Sequence, residues 1–318
     1  MEEREKLYAL KEQGFSLREI GRRLGRNHSS LSDELRNNSP YGAEYIPCRA
    51  QRLSDKRGWR QRCRAPLKNP LVFLYVREHL RIGWSPDEIS GRIKLDHPGY
   101  SISYEAIYRY IYGRKMRRYK YWEYLTLGRK KRMKKGGRGV RRDSSGKIPG
   151  SISIDLRPEI VNLRSRIGDW ETDNIIGKLT DKTALSVTVE RVTKVTLLTK
   201  LSDRLAVTKR DALLRRLGVF PKEIRLTLTT DNGSENSNHK EISKKLELLM
   251  FFCHAYHSWE KGTVENTNGR IRRYIPKGIS IDTFSEEYIK EVEIRMNSTP
   301  RKCLGYLTPY EKISQVLS

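Results

Sequence analysis

Apolar positions near the start of the chain recur at helical spacing. Residues 3–12, "EREKLYALKE", read as one helix. In "FSLREIGRRLGRNHSSLSDELRNNS", Leu17, Ile20 and Leu24 share a face behind a Ser16 cap, and Gly25 supplies the left-handed turn that ends the helix. Ser29 or Ser30 caps the next helix, with Leu31 and Leu35 facing inward. Two short helices about a glycine turn, flanked by a third, make a helix-turn-helix. A further helical stretch covers roughly 70–112. Ser85-Pro86-Asp87-Glu88 is a capping box with proline at the first helical position, and Ser103 precedes a helix with Ile107 and Ile111 inward. This stretch is either a second helix-turn-helix or a dimerisation module.

From about residue 167 the period shortens. "DWETDNIIG", "ALSVTVERVTK" and "VTLLTKLSD" are rich in β-formers and separated by turn signals. "AVTKRDALLRRLG" is an amphipathic helix, "EIRLTLTTDNG" a fourth strand, "NHKEISKKLEL" a helix and "LMFFCHA" a fifth strand. Helices follow over roughly 260–274 and 284–297. Consecutive strands form an antiparallel meander, and strands after helices add in parallel. That order is ribonuclease-H-like. The chain is therefore expected to be multidomain, with an all-α helix-turn-helix domain (1–45), a second helical domain (46–126), a basic Gly-rich linker (127–150) and an α/β catalytic domain (151–318).

Charge adds a partner. The formal net charge is +26, and residues 1–150 hold 36 Lys+Arg against 16 Asp+Glu. A polyanion is the natural partner, nucleic acid above all. On the second short helix, Arg26, Asn27, His28, Ser29, Ser30, Ser32 and Arg36 are placed to meet phosphates and base edges. The chain is 36% hydrophobic and 32% charged, polar for a globular protein but not a disordered composition. No apolar run is long enough for a membrane span, and the acidic helical start is no signal peptide, so a cytoplasmic protein is expected. Cys48, Cys63, Cys253 and Cys303 form no C-x-x-C pair. Zinc on Cys48, Cys63 and His79 is conceivable, but scattered reduced thiols suit the composition better.

The chemistry lies in acids. Asp231 ends the fourth strand, where ligands collect in α/β folds, and Glu265 sits on a helix with 33 residues between them. Asp173 lies in the first strand. Three carboxylates from distant positions suit hard divalent ions, and two such ions clamp the attacking and leaving oxygens of phosphoryl transfer. Asp169, Glu171, Glu235 and Glu260 are competing acids. Lys261, Arg270, Arg272 and Arg273, around the Glu265 helix, are candidate phosphate ligands. Asn266 and Asn268 either orient a DNA strand or serve as caps or solvent-exposed residues. Trp259 packs on a base or, the favoured reading, plugs the core.

Read together, "LREIGRRLGRNHSSLSDELRNNS", "SPDEISGRIKLDHPGYSISYEAIYRYIY", "RIGDWETDNIIGK", "TLTTDNGSEN", "SWEKGTVENTNGRIRRYIPKG" and "NSTPRKCLGYLTPYE" resemble, in order, the insertion sequence 30 family of bacterial and archaeal DDE transposases. The resemblance covers nearly the whole chain. It departs at "CHAYHS", where many members carry Asp-Pro-Tyr, and at Asn236, where an aromatic is common. It implies a retroviral-integrase-like catalytic core and a catalytic, metal-binding triad of Asp173, Asp231 and Glu265. It further implies two Mg²⁺ (or Mn²⁺) ions and cutting and joining of double-stranded DNA at element ends. Two ends and one acidic set per chain imply a homodimer or higher oligomer on DNA, with Phe73, Tyr75, Tyr108, Tyr110, Tyr112, Tyr121 and Trp122 either pairing chains or packing internally. The rival readings are a non-mobile DNA-binding regulator and a nuclease that cuts without joining.

Overall fold

A computed structural model describes residues 1–39, 44–64, 67–125, 128, 148–254 and 257–317. The expected linker lies almost wholly outside the described residues. The chain divides into two compact units, Met1–Phe73 and Leu74–Ser318. The expected boundaries at 45 and 126 differ from this division, which groups the helices after Leu74 with the sheet.

The first unit holds α1 (Glu2–Glu12), α2 (Leu17–Leu24), α3 (His28–Asn38) and α4 (Pro47–Arg64). Leu7, Ile20, Leu31, Tyr45 and Ala50 are buried together at its centre. Arg4 lies on Glu34 at 2.7 Å, and the Tyr45 hydroxyl donates to the same carboxylate at 3.1 Å. Ser16 caps α2 as expected. The cap of α3 is Asn27, not Ser29 or Ser30: its Oδ1 accepts from the Ser29 N–H and hydroxyl, each at 3.0 Å. Asn27 stands one residue before the first helical position, so its side chain reaches a free N–H that a serine already inside the helix cannot. The α2–α3 turn is tight. A Cβ on Gly21 would lie 2.6 Å from the Arg26 carbonyl oxygen, while Gly25 takes φ +65°.

The second unit begins within α5 (Pro70–Ile82), followed by α6 (Pro86–Asp96) and α7 (Tyr104–Tyr112). The Ser85–Glu88 capping box and the Ser103 cap form as expected. Tyr75, Tyr110, Tyr121 and Trp122 are buried, so internal packing accounts for four of the seven aromatics considered for pairing. His79 is stacked on Tyr75 and tilted against Trp84, with Nδ1 2.8 Å from the Tyr75 carbonyl. Cys48 and Cys303 are exposed free thiols and Cys253 a buried one.

Next come β1 (Ile152–Ser153), α8 (Glu159–Leu163), β2 (Asp169–Ile175), β3 (Ala184–Glu190), β4 (Thr196–Leu201), α9 (Ala206–Leu217), β5 (Thr227–Thr230), α10 (His239–Leu246), β6 (Leu249–Phe252), α11 (Gly262–Ile271), α12 (Glu286–Asn297) and α13 (Pro309–Leu317). The sheet order is β1-β6-β5-β2-β3-β4. β2, β3 and β4 form the antiparallel meander, and β5 and β6 add in parallel beside β2. This is the expected ribonuclease-H-like topology, with β1 as an unexpected short edge strand parallel to β6. One sheet face packs Trp170, Leu197 and Leu228 against Leu213 and Leu217 of α9 and Ile242 of α10. The other packs Ile175, Leu185, Val187 and Val189 against Val264 and Ile271 of α11 and Val292 of α12. The β4 edge is covered by α12. Thr196 N–H donates to Asn297 Oδ1 at 2.8 Å and Leu198 N–H to Glu293 at 2.6 Å, while Asn297 Nδ2 donates back to the Thr196 carbonyl at 2.8 Å.

α6 is tied to α13 by Arg92, which forks onto Glu311 at 2.6 and 2.7 Å. The Arg92 hydrogen bonds hold the Glu311 carboxyl down at about 2, against its ordinary 4.5.

Two outcomes follow from these contacts. Gly21→Ala is expected to lower stability by about 1–3 kcal/mol, because the clash is with rigid backbone; urea unfolding measures it. Because the Glu311 carboxyl is depressed on folding, its stabilisation is whole above about pH 4.5 and is lost as pH falls toward 2. Glu311→Gln should therefore lie below wild type in urea midpoint above pH 4.5 and converge with it near pH 2.

Candidate active site

The site grows from strand alternation in β2. Even positions face α9: Trp170 enters that core, and Thr172 and Asn174 meet a side chain of α9. Odd positions 171, 173 and 175 face α11. Glu171 is fully buried. Its Oε2 accepts the Thr263 and Val264 N–H groups of the first turn of α11, both at 2.9 Å, and its Oε1 lies 2.8 Å from Arg191 Nε. A carboxylate on free N–H groups at a helix start is favoured by hydrogen bonding and by the helix dipole. Glu171 thus fixes α11 over the sheet.

β2 and β5 run parallel with Glu171 opposite Thr229. Two residues further along both strands stand Asp173 and Asp231. Lys261 Nζ lies between them, 3.2 Å from Asp173 Oδ1 and 2.7 Å from Asp231 Oδ2. Asn268 Nδ2 donates to Asp173 Oδ2 at 2.8 Å. The Gly233 N–H and Asn236 Nδ2 donate to Asp231 Oδ1 at 3.2 and 3.0 Å. Burial pushes the Asp231 carboxyl up, but the Lys261 ammonium and the Gly233 N–H more than offset it, leaving it below the usual carboxylate range. Burial likewise lowers the Lys261 ammonium, and the two aspartates overcome this and raise it.

Lys261, Glu265, Asn268 and Arg272 follow one another at helical spacing and form one stripe. Lys261 and Asn268 touch the aspartates, and the exposed Glu265 lies between them on that stripe. The structure therefore brings Asp173 and Asp231 together through a shared cation and places Glu265 on the adjoining helix face.

The competing acids have other partners. Asp169 is buried against Arg166 and the Thr227 hydroxyl, and Glu235 accepts from Asn174 at 3.3 Å. Glu260 receives His254 Nδ1 at 2.9 Å and His257 Nδ1 at 3.1 Å on one oxygen. These three residues place one ligand atom each within 4.8 Å, a second group able to hold a cation. Trp259 does not plug the core. It is 69% exposed and stacks on His257, because the 3₁₀ turn Ser258–Lys261 turns it away from the sheet.

The candidate phosphate ligands are engaged within the protein. Lys261 bridges the aspartates. Arg270 pairs with Glu88 at 2.8 Å, Arg272 donates to the Ile176 carbonyl at 2.9 Å, and Arg273 donates to the Gly83 carbonyl at 2.5 Å. In the first unit Arg26 pairs with Glu3 and Arg36 with Asp33, while His28, Ser29, Ser30 and Ser32 are exposed.

Sequence reasoning missed Lys209. It is buried on α9, and its Nζ donates to Thr172 Oγ1, Asn174 Oδ1 and Ser186 Oγ at 2.9, 2.8 and 2.7 Å. Burial pushes its amine down to about 8, against the pull of Asp173, Glu235 and Asp231. A cation thus lies on the other side of the sheet, beneath the aspartates. Its signal was available: Lys209 shares the buried stripe of Ala212, Leu213 and Leu217. Asn236 and Glu171 carried no comparable mark.

With this geometry in place, comparison with known proteins is decisive. Residues 1–38 match the model of a family described as "Helix-turn-helix domain". The transposase for insertion sequence element IS4351 of Bacteroides fragilis is 38% identical over 305 residues, 96% of this chain and 91% of that protein. The transposase for IS1086 of Cupriavidus metallidurans is 36% identical, over 100% and 94%. Transposase InsI for IS30A of Escherichia coli K12 is 30% identical, over 99% and 83%. The chain belongs to the insertion sequence 30 family of transposases. Among solved structures, the catalytic core domain of BIV integrase aligns at 20% identity and TM-score 0.37, over 47% of this chain and 95% of that one. Among the described residues, no helix is long and apolar enough to cross a membrane.

Glu171→Ala in this transposase should cost about 3–5 kcal/mol, the penalty for leaving a buried Arg191 unpaired. Thermal or urea unfolding gives the number, and an effect below about 1 kcal/mol would contradict the role assigned to Glu171.

Proposed function

We propose that the chain binds the ends of an insertion sequence and catalyses divalent-metal-dependent DNA cleavage and strand transfer. The observation that carries this reading is the aspartate pair, Asp173 within β2 and Asp231 just past the end of the neighbouring β5, bridged by a cation and held by fixed donors. Asp173 and Asp231 satisfy a charge demand: the Lys261 ammonium stands where a cation is needed, between one oxygen of each. Carboxylate oxygens suit Mg²⁺ or Mn²⁺, and Asp173, Asp231 and Glu265 would hold two such ions. Bound there, the ions supply Lewis-acid polarisation of the phosphodiester and neutralise its developing charge.

The chain's own residues supply position. Asn268, Asn236 and the Gly233 N–H keep the aspartates aimed, and Glu171 keeps the Glu265 helix against them. Lys261, once released from the aspartates, has an ammonium to offer a phosphate oxygen. Water attacks the phosphorus at the element end, and the 3′-oxygen leaves as a hydroxyl. That hydroxyl then attacks a target phosphorus and displaces the target strand's 3′-oxygen. Trp259, exposed beside this helix, offers a stacking face to an unpaired base. The exposed face of α3 is suited to read the element end, as the second helix of a helix-turn-helix does. With one acidic set per chain and two ends to join, at least two copies act together.

Purified Asp173→Asn, Asp231→Asn and Glu265→Gln are each expected to lose cleavage of element-end DNA by more than about 100-fold, the upper end of what an outer-shell partner costs. Gel-shift affinity should be retained. Near-wild-type cutting by any one variant would remove that residue from the site.

A further inference from the structure

A cavity of about 350 Å³ opens on another flank of α11, away from the stripe that touches the aspartates. Its lining includes Arg164, Lys194, Arg270, Arg301, Lys302 and Thr263. Two carboxylates pair with this set: Glu88 with Arg270 at 2.8 Å and Asp87 with Lys302 at 3.5 Å. The remaining excess is positive. Arg301 is only 6% exposed. Its Nη2 donates to the Met296 carbonyl at 2.8 Å, but its Nη1 is buried with no hydrogen-bond partner, and so is the Thr263 hydroxyl. Burial, and then repulsion from Arg270, press the Arg301 guanidinium down to about 10, so it remains charged near neutrality. Burial and then Arg164 lower the Lys194 ammonium as well.

A buried guanidinium with an unmade hydrogen bond, among like charges, is unfavourable unless an anion completes it. We propose that this cavity is a phosphate pocket that grips a DNA backbone phosphate other than the one attacked. This rests on the reading that DNA is the substrate. The anion's identity follows from position. An α-helix with its side chains is about 10–12 Å across, so a strand at the aspartates passes within a few nucleotides of the far flank of α11. Arginine forks and a hydroxyl donor match phosphate oxygens, and these cationic donors outnumber Asn266, the one amide side chain in the lining.

The test uses the full chain and a duplex carrying the inverted repeat that borders the gene, in buffer without divalent ions. Each phosphate near the cleavage point is replaced in turn by a neutral methylphosphonate. Wild type should lose roughly tenfold in affinity at one position, and the slope of log K against log salt should fall there by about 0.9. Lys302→Ala and Lys194→Asn should show a similar loss on the native duplex and no further loss at that position. Asn at 194 tolerates the left-handed backbone (φ +64°) of that turn. Arg301→Lys should recover more binding than Arg301→Gln. Losses that add at every position, or variants that bind as tightly as wild type, overturn the proposal. It is equally overturned if inorganic phosphate raises the melting temperature of wild type but not of Lys302→Ala while DNA affinity is the same for both. Binding is read without cleavage, so failure of the aspartate chemistry and failure of this pocket are separable.

Discussion

The buried carboxylate of Glu171 is the interaction on which the geometry of the candidate active site depends. It belongs to β2, the central strand, yet its hydrogen bonds go to the first turn of α11. One side chain therefore sets the height and rotation of the helix relative to the strand that carries Asp173. Arg191 stabilises its charge away from water, and the two N–H groups use the other oxygen. Without that clamp, the start of α11 would be located by the apolar packing of Val264, which permits sliding, and by the Lys261 ion pairs, while Asn268 and Arg272 hold its later turns. The stripe of Lys261, Glu265, Asn268 and Arg272 inherits its register from this contact.

Around that frame the charges are layered. Asp173 and Asp231 lie between Lys261 above and Lys209 below the sheet. Two cations near two carboxylates leave the pair close to neutral, and this allows acids to gather at a strand end without strong mutual repulsion. On the proposed reading, a divalent ion would compete with Lys261 for the same oxygens, whereas Lys209 is fixed by three hydrogen bonds.

Much of this was legible in the sequence. The caps at Ser16, Ser85 and Ser103, the meander and the parallel additions follow from period and turn chemistry, and they bring the ends of β2 and β5 together. What escaped has physical reasons. Alternation puts Glu171 and Asp173 on one face but does not say which of them meets a helix terminus. Formal charge says that Arg270 and Arg273 are cationic, not that Glu88 and the Gly83 carbonyl already engage them. The size of Trp259 argues for burial, but a 3₁₀ turn, which no periodicity announces, rotates it into solvent. The cap at α3 was expected at Ser29 or Ser30, and only backbone geometry selects Asn27.

The cover over β4 bears on how copies of this chain can meet. An edge strand ordinarily presents a row of open N–H and C=O groups, ready to recruit another strand. Here Asn297 and Glu293 occupy that row from the side, and Asn297 both donates and accepts as a neighbouring strand would. Growth of the sheet across this border is blocked by side chains that take up its backbone groups. A second copy would therefore find no open strand to pair with along this border, and a concentrated preparation is protected there against edge-to-edge fibre growth.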